Sequence, residues 1–376
     1  MLRYMTAGES HGKAMVVILD GVPAGLALDE KFINLELARR MIGYGRGKRM
    51  LIEKDKVDII AGCLKGMTIG SPVSLMIRNK DYRIEELPDV KCPRPGHADL
   101  AGIQKYGLKG ARGVLEKASA RETVSRVAAG AVAKLLLKAF GVKILSHVTM
   151  IGGIAASAAG KQTFNGLWKL AEASDLRCAD KEAAKRMRAE IDKAAKAGDT
   201  LGGSFEVVAD GVPPGLGSYA QWDSRLDGRL ARVVMAIPGV KAVSIGEGVE
   251  CASKKGSQTH DEIAYDKDKK IFYRLSNNAG GMEGGMTNGM PVVIRAFMKP
   301  IATLAKPLRS VDIVSKKKST AAVERADVTA VPACGVIAES VVALEIGSAF
   351  LGKFGGDSVE ESQRNHEAYM KQLKKM

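Results

Sequence analysis

The sequence is poor in several features that define whole classes of protein. Its 376 residues contain 5 cysteines, and no two of them stand at the short spacing of a zinc site or a redox pair. An odd number of scattered cysteines predicts reduced thiols and a cytoplasmic location. No apolar run is long enough to span a membrane, and the N-terminus lacks the apolar stretch of a signal peptide. We therefore expect no disulfide framework, no metal site and no membrane partner.

Aromatic and acidic residues are scarce as well. Phe, Trp and Tyr make up 5% of the chain, and 57 Lys and Arg against 42 Asp and Glu leave a net charge of +15. That charge suits nucleic acid, an anionic surface or anionic small molecules. RNA-binding surfaces interleave basic residues with aromatics, whereas the arginines here stand among the 42 glycines. The pattern favours phosphorylated or polycarboxylate ligands and no nucleic acid. A nucleic-acid-binding protein remains an alternative on the net charge alone.

Several catalytic signatures are missing. The chain has no P-loop lysine motif, no H-E-x-x-H and no G-x-S-x-G, which excludes the corresponding NTPase, zinc protease and α/β-hydrolase classes. A G-x-G occurs within GYGRGKRM at 43–50. It follows a predicted helix rather than a strand, and Met50 takes the place of the third glycine, so it is not a dinucleotide fingerprint.

Two pairs of similar segments recur along the chain in the same order. The first pair is VVILDGVPAGL at 16–26 and VVADGVPPGLG at 207–217; the second is GMTIGSPV at 66–73 and GMTNGMPV at 285–292. Chance similarity of short Gly and Pro turns is the alternative. Two matches in register predict one domain over 1–376 with two pseudosymmetric halves. We place them roughly at 1–150 and 200–355, with an insertion-like helical segment at 157–200 and a charged tail at 357–376.

Hydrophobic periodicity and turn residues predict a mixed α/β fold. Runs bounded by Gly or Pro predict strands at 15–21, 73–77, 204–210 and 291–298. Helices are predicted at 29–41 with Asp29 as the N-cap, at 119–140, at 180–197 before Gly198, and at 335–351. In the second of these, Ser119 and Glu122 have the spacing of a capping box.

Two of the 5 histidines lie in glycine-containing loops that suit proton transfer near neutral pH. His11 lies in GESHG, and His97 lies in RPGHAD, where Asp99 could orient its ring. The alternatives are a turn histidine bonded to the backbone and a loop ion pair. His366 lies in the charged tail, which predicts exposure to solvent.

Basic residues cluster where a phosphate or carboxylate could bind. The segment RRMIGYGRGKR at 39–49 contains Arg40, Arg46 and Arg49, and guanidinium groups match such anions in bidentate geometry. A solvated basic loop is the alternative. Ser119 opens the long helix with Lys117 just before it, as in phosphate sites at helix N-termini, although simple capping would look the same.

Seven segments resemble the chorismate synthase family, in family order and over nearly the whole chain. They are TAGESHG (6–12), GYGRGKRM (43–50), RPGHADLAG (94–102), SARETVSRVAAGAVAK (119–134), AIPGVKAVSIGEG (236–248), NNAGGMEGGMTNGMPVVIRAFMKPIATL (277–304) and VERADVTAVPACGV (323–336). The resemblance implies a β-α-β sandwich of the chorismate synthase type, assembled as a homotetramer. It also implies a lyase of the shikimate pathway that converts 5-enolpyruvylshikimate 3-phosphate to chorismate. The implied cofactor is reduced FMN, with NADPH as a possible reductant.

The resemblance assigns roles to individual residues. His11 is expected to act as the acid for the departing phosphate, His97 to manage protonation of the reduced flavin, and Asp327 to assist proton transfer near flavin N5. Ser10 and Ser119 match serines tied to catalysis or flavin handling. Arg40 and Arg46 match the NADPH or substrate entrance, and Arg49 extends that cluster. The implied flavin contacts are Lys117, Ala118, Ser119, Pro238, Gly239, Gly284, Lys299, Pro300, Ile301, Ala302, Thr303 and Arg325.

Two departures from the family pattern weaken parts of this assignment of residue roles. Lys117 stands where many members have Arg, and Pro238-Gly239 stand where others have Asn-Ala. Neither change touches the proposed acid–base residues. A flavin reductase is a second alternative, because its flavin loops would also be rich in glycine. Whether the chain reduces its own flavin or depends on a separate reductase is left open.

Overall fold

The computed structural model describes residues 1–47, 55–157, 162–324 and 327–376. The strands are β1 (Arg3–Ala7), β2 (Ala14–Asp20), β3 (Val57–Ala61), β4 (Cys63–Leu64), β5 (Met67–Thr68), β6 (Val73–Arg78), β7 (Lys143–Ile151), β8 (Ile154–Ala155), β9 (Gly203–Asp210), β10 (Val240–Ile245), β11 (Ile263–Asp266), β12 (Ile271–Arg274), β13 (Met282–Glu283), β14 (Met286–Thr287), β15 (Val292–Met298), β16 (Arg309–Val311) and β17 (Lys318–Thr320). The helices are α1 (Glu30–Met41), α2 (Asp99–Tyr106), α3 (Arg112–Ala118), α4 (Thr123–Lys138), α5 (Phe164–Glu172), α6 (Lys181–Ala197), α7 (Leu226–Met235), α8 (Gly256–Thr259), α9 (Val331–Phe354) and α10 (Val359–Leu373).

Two antiparallel sheets enclose a layer of helices. The first sheet has the strand order β1-β2-β6-β3, and the second has the order β10-β15-β9-β7-β8. Helices α1 and α4 contact the first sheet, α7 and α9 contact the second, and α4 packs against α9 between them. Each element buries one apolar face against the next layer. The predicted β-α-β sandwich of the α/β class is confirmed.

The two sheets have corresponding strands in the same order: β1, β2, β6 and β3 of the first match β7, β9, β15 and β10 of the second. They also share a local hydrogen-bond pattern. Thr68 Oγ1 donates to the carbonyl oxygen of Pro23 over 2.6 Å, and Thr287 Oγ1 donates to that of Pro213 over 2.7 Å. Each threonine also accepts the amide three residues beyond its proline, over 2.9 Å in both cases. These residues are the corresponding positions of the repeated segments. The boundaries at 150 and 200 stay a prediction, and β7, which begins at Lys143, belongs to the second sheet.

Helix α9 is the centre of the core. All its residues except Gly352 and Lys353 are buried. Within the described residues it is the one helix long and apolar enough to cross a membrane, and 94% of its apolar window lies inside the fold. Burial by the second sheet and by helices α1, α4 and α7 accounts for that composition, since a helix that is apolar all round is a core helix in a globular protein.

A cluster of buried charges joins α1, α4 and α9. Glu339 of α9 is fully buried and accepts hydrogen bonds from Arg39 over 2.8 Å, Lys134 over 2.5 Å and Arg177 over 3.0 Å. Burial alone would raise the pKa of Glu339, but the three cations outweigh it and hold that pKa well below its ordinary value. The carboxylate is therefore ionised and fully paired, as a buried charge must be.

Most predicted elements are confirmed. Strands β2, β6, β9 and β15 and helices α1, α6 and α9 occupy the expected ranges to within a few residues. Asp29 accepts the amide of Lys31 at the start of α1. Gly198 ends α6 with a positive φ of 72°, a conformation that glycine adopts without a steric cost.

Two sequence-based expectations were wrong in detail. The helix predicted from Ser119 begins with a 3₁₀ turn at Ala120–Glu122, and no capping box forms. The Glu122 carboxylate instead accepts from Thr6 over 2.8 Å and from Arg126 over 2.9 Å. His366 is not simply exposed. It packs edge-on against Phe140 and Phe354, and burial lowers its pKa.

Candidate functional site

A cleft of about 1310 Å³ opens where the connections between layers converge. Its walls come from the loop after β1, the loop before α2, the junction of α3 with α4, the loops 237–239 and 299–303, and the first turns of α9. Pockets for one drug-sized ligand usually have roughly 300–1,000 Å³. The volume therefore accommodates two ligands side by side.

The cleft brings together nearly all the predicted site residues that the structure describes. Those lining it are Ser10, His11, Arg40, Arg46, His97, Lys117, Ala118, Ser119, Pro238, Gly239, Lys299, Pro300, Ile301, Ala302, Thr303 and Asp327. Gly284 does not line it: it lies in the turn between β13 and β14, next to Tyr219 and Met286. Its predicted cofactor contact stays a prediction. Arg49 and Arg325 lie outside the described residues.

His11 is buried against the carboxylate of Glu116 on α3. Its ring Nδ1 lies 3.0 Å from both Glu116 oxygens, and its backbone amide donates to Oε2 over 2.8 Å. The amide of Ser10 bonds the carbonyl of Glu116 over 3.0 Å, and Ser119 Oγ bonds Ser10 Oγ over 3.2 Å. Burial would raise the pKa of Glu116, but the hydrogen bonds from the His11 ring and amide, together with the charge of Arg112, lower it below its ordinary value.

His97 is held by Asp99, as its motif predicted. Its Nδ1 lies 2.5 Å from Asp99 Oδ1, and Arg94 binds the same carboxylate through Nε over 2.8 Å. Arg94 also donates to Thr303 Oγ1 over 2.8 Å. Asp99 is fully buried. Burial would raise the pKa of Asp99, but the bonds from His97 and Arg94 hold it well below its ordinary value.

Asp327 faces the cleft from the segment just before α9. Its Oδ1 accepts the backbone amide of Gly47 over 2.6 Å, and its Oδ2 lies 3.3 Å from an Arg46 nitrogen. The loop after α1 and the segment before α9 are thereby joined at the cleft. Arg46 and Asp327 were both predicted site residues, and the structure places them in direct contact.

Arg40 reaches the start of α4 from the end of α1. Its Nε donates to Thr123 Oγ1 over 3.0 Å and an Nη donates to the carbonyl of Ala120 over 3.0 Å. Neighbouring Arg121 forms a bidentate pair with Asp55, with both distances 2.8 Å. These bonds fix the guanidinium groups beside the N-terminus of α4.

The cleft is strongly electropositive. Among the described residues, seven cationic side chains line it against three carboxylates, those of Glu122, Glu324 and Asp327. Helices α4 and α9 both begin at its wall, because residues 120–123 line it together with Ala330, Ala333 and Cys334. Helix N-termini carry a partial positive charge and unpaired amides. The site therefore favours a ligand with several negative charges.

One wall of the cleft is apolar, and the backbone at Gly239 packs closely against one of its side chains. Leu115, Ile237, Met298, Ile301 and Ile337 line it. Gly239 adopts a φ of 88°, and a β-carbon there would lie 3.1 Å from Met298 Cε. Such a wall suits the face of a flat ring system.

Comparisons with known proteins agree with this site. The family model described as chorismate synthase matches residues 2–351. A chorismate synthase of Carboxydothermus hydrogenoformans is 52% identical over 384 residues, covering 99% of each chain. The chain belongs to the chorismate synthase family. A chorismate synthase of Geobacter metallireducens is 52% identical over 392 residues and 100% of both chains. A crystal structure of chorismate synthase matches with a TM-score of 0.84 and 41% identity, covering 100% of this chain and 99% of the other.

Sequence reasoning missed several residues in and beside this cleft. Glu116 contacts His11 from 105 residues away, and no local pattern marks it. Arg126 and Glu122 form an i,i+4 pair at the cleft wall, and their spacing on the predicted helix was a usable signal. Arg94 flanks His97 in the RPGHAD motif, so its position in the loop was visible although its pairing with Asp99 was not.

Proposed function

We propose that the chain catalyses 1,4-elimination of phosphate from 5-enolpyruvylshikimate 3-phosphate to give chorismate, as a carbon–oxygen lyase. The observation that carries the proposal is the gathering of His11, His97 and seven cationic side chains around one cleft. A substrate with two carboxylates and a phosphate needs several cations to replace its water. Membership of the chorismate synthase family supports this reaction over others that such a cleft would allow.

The residues of the cleft fit the flavin that we propose as cofactor. Its volume has room for a second ligand beside the substrate, and the apolar wall with the close approach at Gly239 suits a flat ring. Residues 117–119, 238–239 and 299–303 would hold reduced FMN. When bound, reduced FMN supplies a transient electron partner for an elimination without net redox change.

His11 is the proposed acid for the departing phosphate. Glu116 lies 3.0 Å from its Nδ1, and we assign the transferred proton to Nε2, the ring nitrogen that lies 3.8 Å from Asp81 Oδ2. Ser10 and Ser119, whose hydroxyls are bonded to each other, lie beside it and would orient a phosphate oxygen. The nearby start of α4 adds backbone amides to the same position.

His97 and Asp327 are proposed to govern protonation on the flavin side. Asp99 fixes the orientation of the His97 ring, and Arg46 together with Gly47 fixes the Asp327 carboxylate. Both side chains therefore present a defined polar atom to the cleft. Arg40 and Arg46 stand where an NADPH reductant or the substrate would enter.

The proposal includes a homotetramer in the cytoplasm. Hairpin β11–β12 is an isolated pair of strands, and pairs of that kind are marginally stable in water. It exposes Ile263, Phe272 and Leu275, whose exposed fractions are 65%, 54% and 61%. A second copy of the chain covering this hairpin would remove that apolar surface from water. All five cysteines are free thiols, which suits a reducing compartment.

Anaerobic phosphate release tests the proposed function. The enolpyruvyl substrate is mixed with enzyme and FMN, either oxidised or photoreduced, and phosphate and chorismate are measured together. We expect equal amounts of both products with reduced FMN and neither with oxidised FMN. NADPH oxidation without phosphate release would instead indicate a flavin reductase, and salt-sensitive binding to generic DNA would indicate the nucleic-acid alternative.

Two histidine variants sharpen that test. His11→Ala and His97→Ala should each slow turnover by roughly 10²–10⁴, the usual scale of general acid–base catalysis. His11→Ala should leave binding of reduced FMN nearly intact, whereas His97→Ala should alter its absorption spectrum. His260→Ala is the control, because His260 is exposed and does not line the cleft. Near-native turnover in both variants would refute the assigned roles.

A further inference from the structure

Glu116 bonds both the backbone amide and the ring of His11, which is more than is needed to hold the loop that contains His11. Glu116 has an exposed fraction of 2% and His11 of 7%. Two oxygens of one carboxylate lie 3.0 Å from the same ring nitrogen, and one of them also accepts the His11 amide. A buried carboxylate costs free energy unless it is fully paired. The pairing here is aimed at the ring as well as at the backbone.

Charged groups surround this pair on every side that packs against it. Within the described part of the chain they are Glu116 and Arg112 on α3, Asp81 and its partner Arg83 after β6, Lys117 near Gly8, and Glu324, which binds Arg112. Asp81 Oδ2 lies 3.8 Å from His11 Nε2. Arg112 is 3.4 Å from Glu116. Glu116 is thus the charged group in direct contact with Nδ1 of the ring, and the cations stand one step further away.

We propose that Glu116 is a positioning residue that fixes the orientation of the His11 ring, with Nδ1 as the donor to the carboxylate and Nε2 as the nitrogen that exchanges a proton with the substrate. The proposal rests on the proposed function of His11 as an acid. A carboxylate that accepts from Nδ1 selects one tautomer and one ring orientation. The buried carboxylate of a catalytic triad orients its histidine in the same way.

The state of the ring can be measured in the protein without flavin or substrate. With 5 histidines in the chain, selective ¹⁵N-histidine labelling gives few ring signals, and His11→Gln assigns the one in question. We expect neutral His11 in the wild-type chain to carry its proton on Nδ1. A neutral ring with its proton on Nε2 would overturn the proposal, and this measurement needs no variant of Glu116.

Glu116→Gln removes the charge and keeps the shape. We expect its neutral His11 ring to lose the fixed proton position on Nδ1, and kcat to fall by roughly 10²-fold with KM unchanged. Glu206→Gln is the matched control, since Glu206 pairs with His147 over 3.1 Å outside the cleft. It should leave turnover unchanged.

The possible outcomes separate the two hypotheses. A Glu116→Gln variant with the wild-type ring tautomer and wild-type kcat would overturn the positioning role. A loss that appears only in KM would also overturn it and indicate a structural role. A wild-type chain that releases no phosphate with reduced FMN would refute the proposed function, while the ring measurements would still test the link between Glu116 and His11.

Discussion

Replacing Gly130 by Ala tests the contact on which the helix layer depends. In an exposed helix this change usually stabilises by about 1 kcal/mol, since alanine has the higher helix propensity. At Gly130 of α4 an added β-carbon would lie 2.3 Å from Ser340 Cβ and 2.5 Å from Ser340 Cα on α9. Attractive contacts between carbon atoms need about 3.5–4.0 Å. The two helices would therefore have to move apart.

The expected loss follows from that overlap. Overpacking costs about 1–3 kcal/mol, and the upper value applies because the Ser340 backbone cannot rotate away as a side chain could. Subtracting the gain in propensity leaves a net loss of about 2 kcal/mol. At about 2.1 cal/mol/K per residue, the 376 residues give an unfolding entropy near 0.8 kcal/mol/K. We therefore expect Tm to fall by about 2–3 °C.

Gly352→Ala is the matched control. Gly352 lies in α9, and an added β-carbon there would meet no atom within 4 Å. The same substitution should therefore raise Tm by about 1 °C. Both variants are compared with the wild type by scanning calorimetry at equal protein concentration. A rise in Tm for Gly130→Ala as large as that for Gly352→Ala would refute the close approach of α4 and α9.

Three further predictions concern buried and cleft charges. Asp99→Asn should lower the free energy of unfolding by about 3 kcal/mol and release the His97 ring, which calorimetry and ring ¹⁵N shifts would show. Glu339 has a pKa below its ordinary 4.5, so its stabilising effect is present above that pH and is lost below it; a pH series of Tm that is flat from 7 to 3 would contradict this. Arg46→Ala should weaken substrate or NADPH binding by roughly ten- to hundredfold in titrations, and early melting instead would show that its contact with Asp327 is structural.

Local patterns in the sequence were sufficient for strands β2, β6, β9 and β15, for helices α1, α6 and α9, and for most members of the site. Apolar runs bounded by glycine and proline turns predicted the four strands, because such short runs are typical of strands. The paired segments matched the hydrogen bonds that Thr68 and Thr287 make. Motif resemblance named residues that the cleft does bring together, such as His11 and His97.

Those patterns could not predict which of two neighbouring side chains points into the core and which into the cleft. Arg39 and Arg40 are adjacent in the chain, yet Arg39 points into the core and bonds Glu339, while Arg40 lines the cleft. Successive residues on a helix point about 100° apart. Which of the two faces the core depends on where α4 and α9 lie, and the segment 39–49 alone could not decide it.

The sequence by itself determined the position of four main strands and of three long helices, the positive charge and the motif residues. Only the tertiary structure decided that Glu116 bonds the His11 ring from 105 residues away. It also decided that Glu122 bonds Thr6 rather than capping its helix, and that Gly284 lies outside the cleft. Periodicity and turn preferences depend on residues that are close together in the sequence, so the sequence alone reveals them. Contacts between distant side chains arise only when whole layers pack, because packing fixes which faces meet.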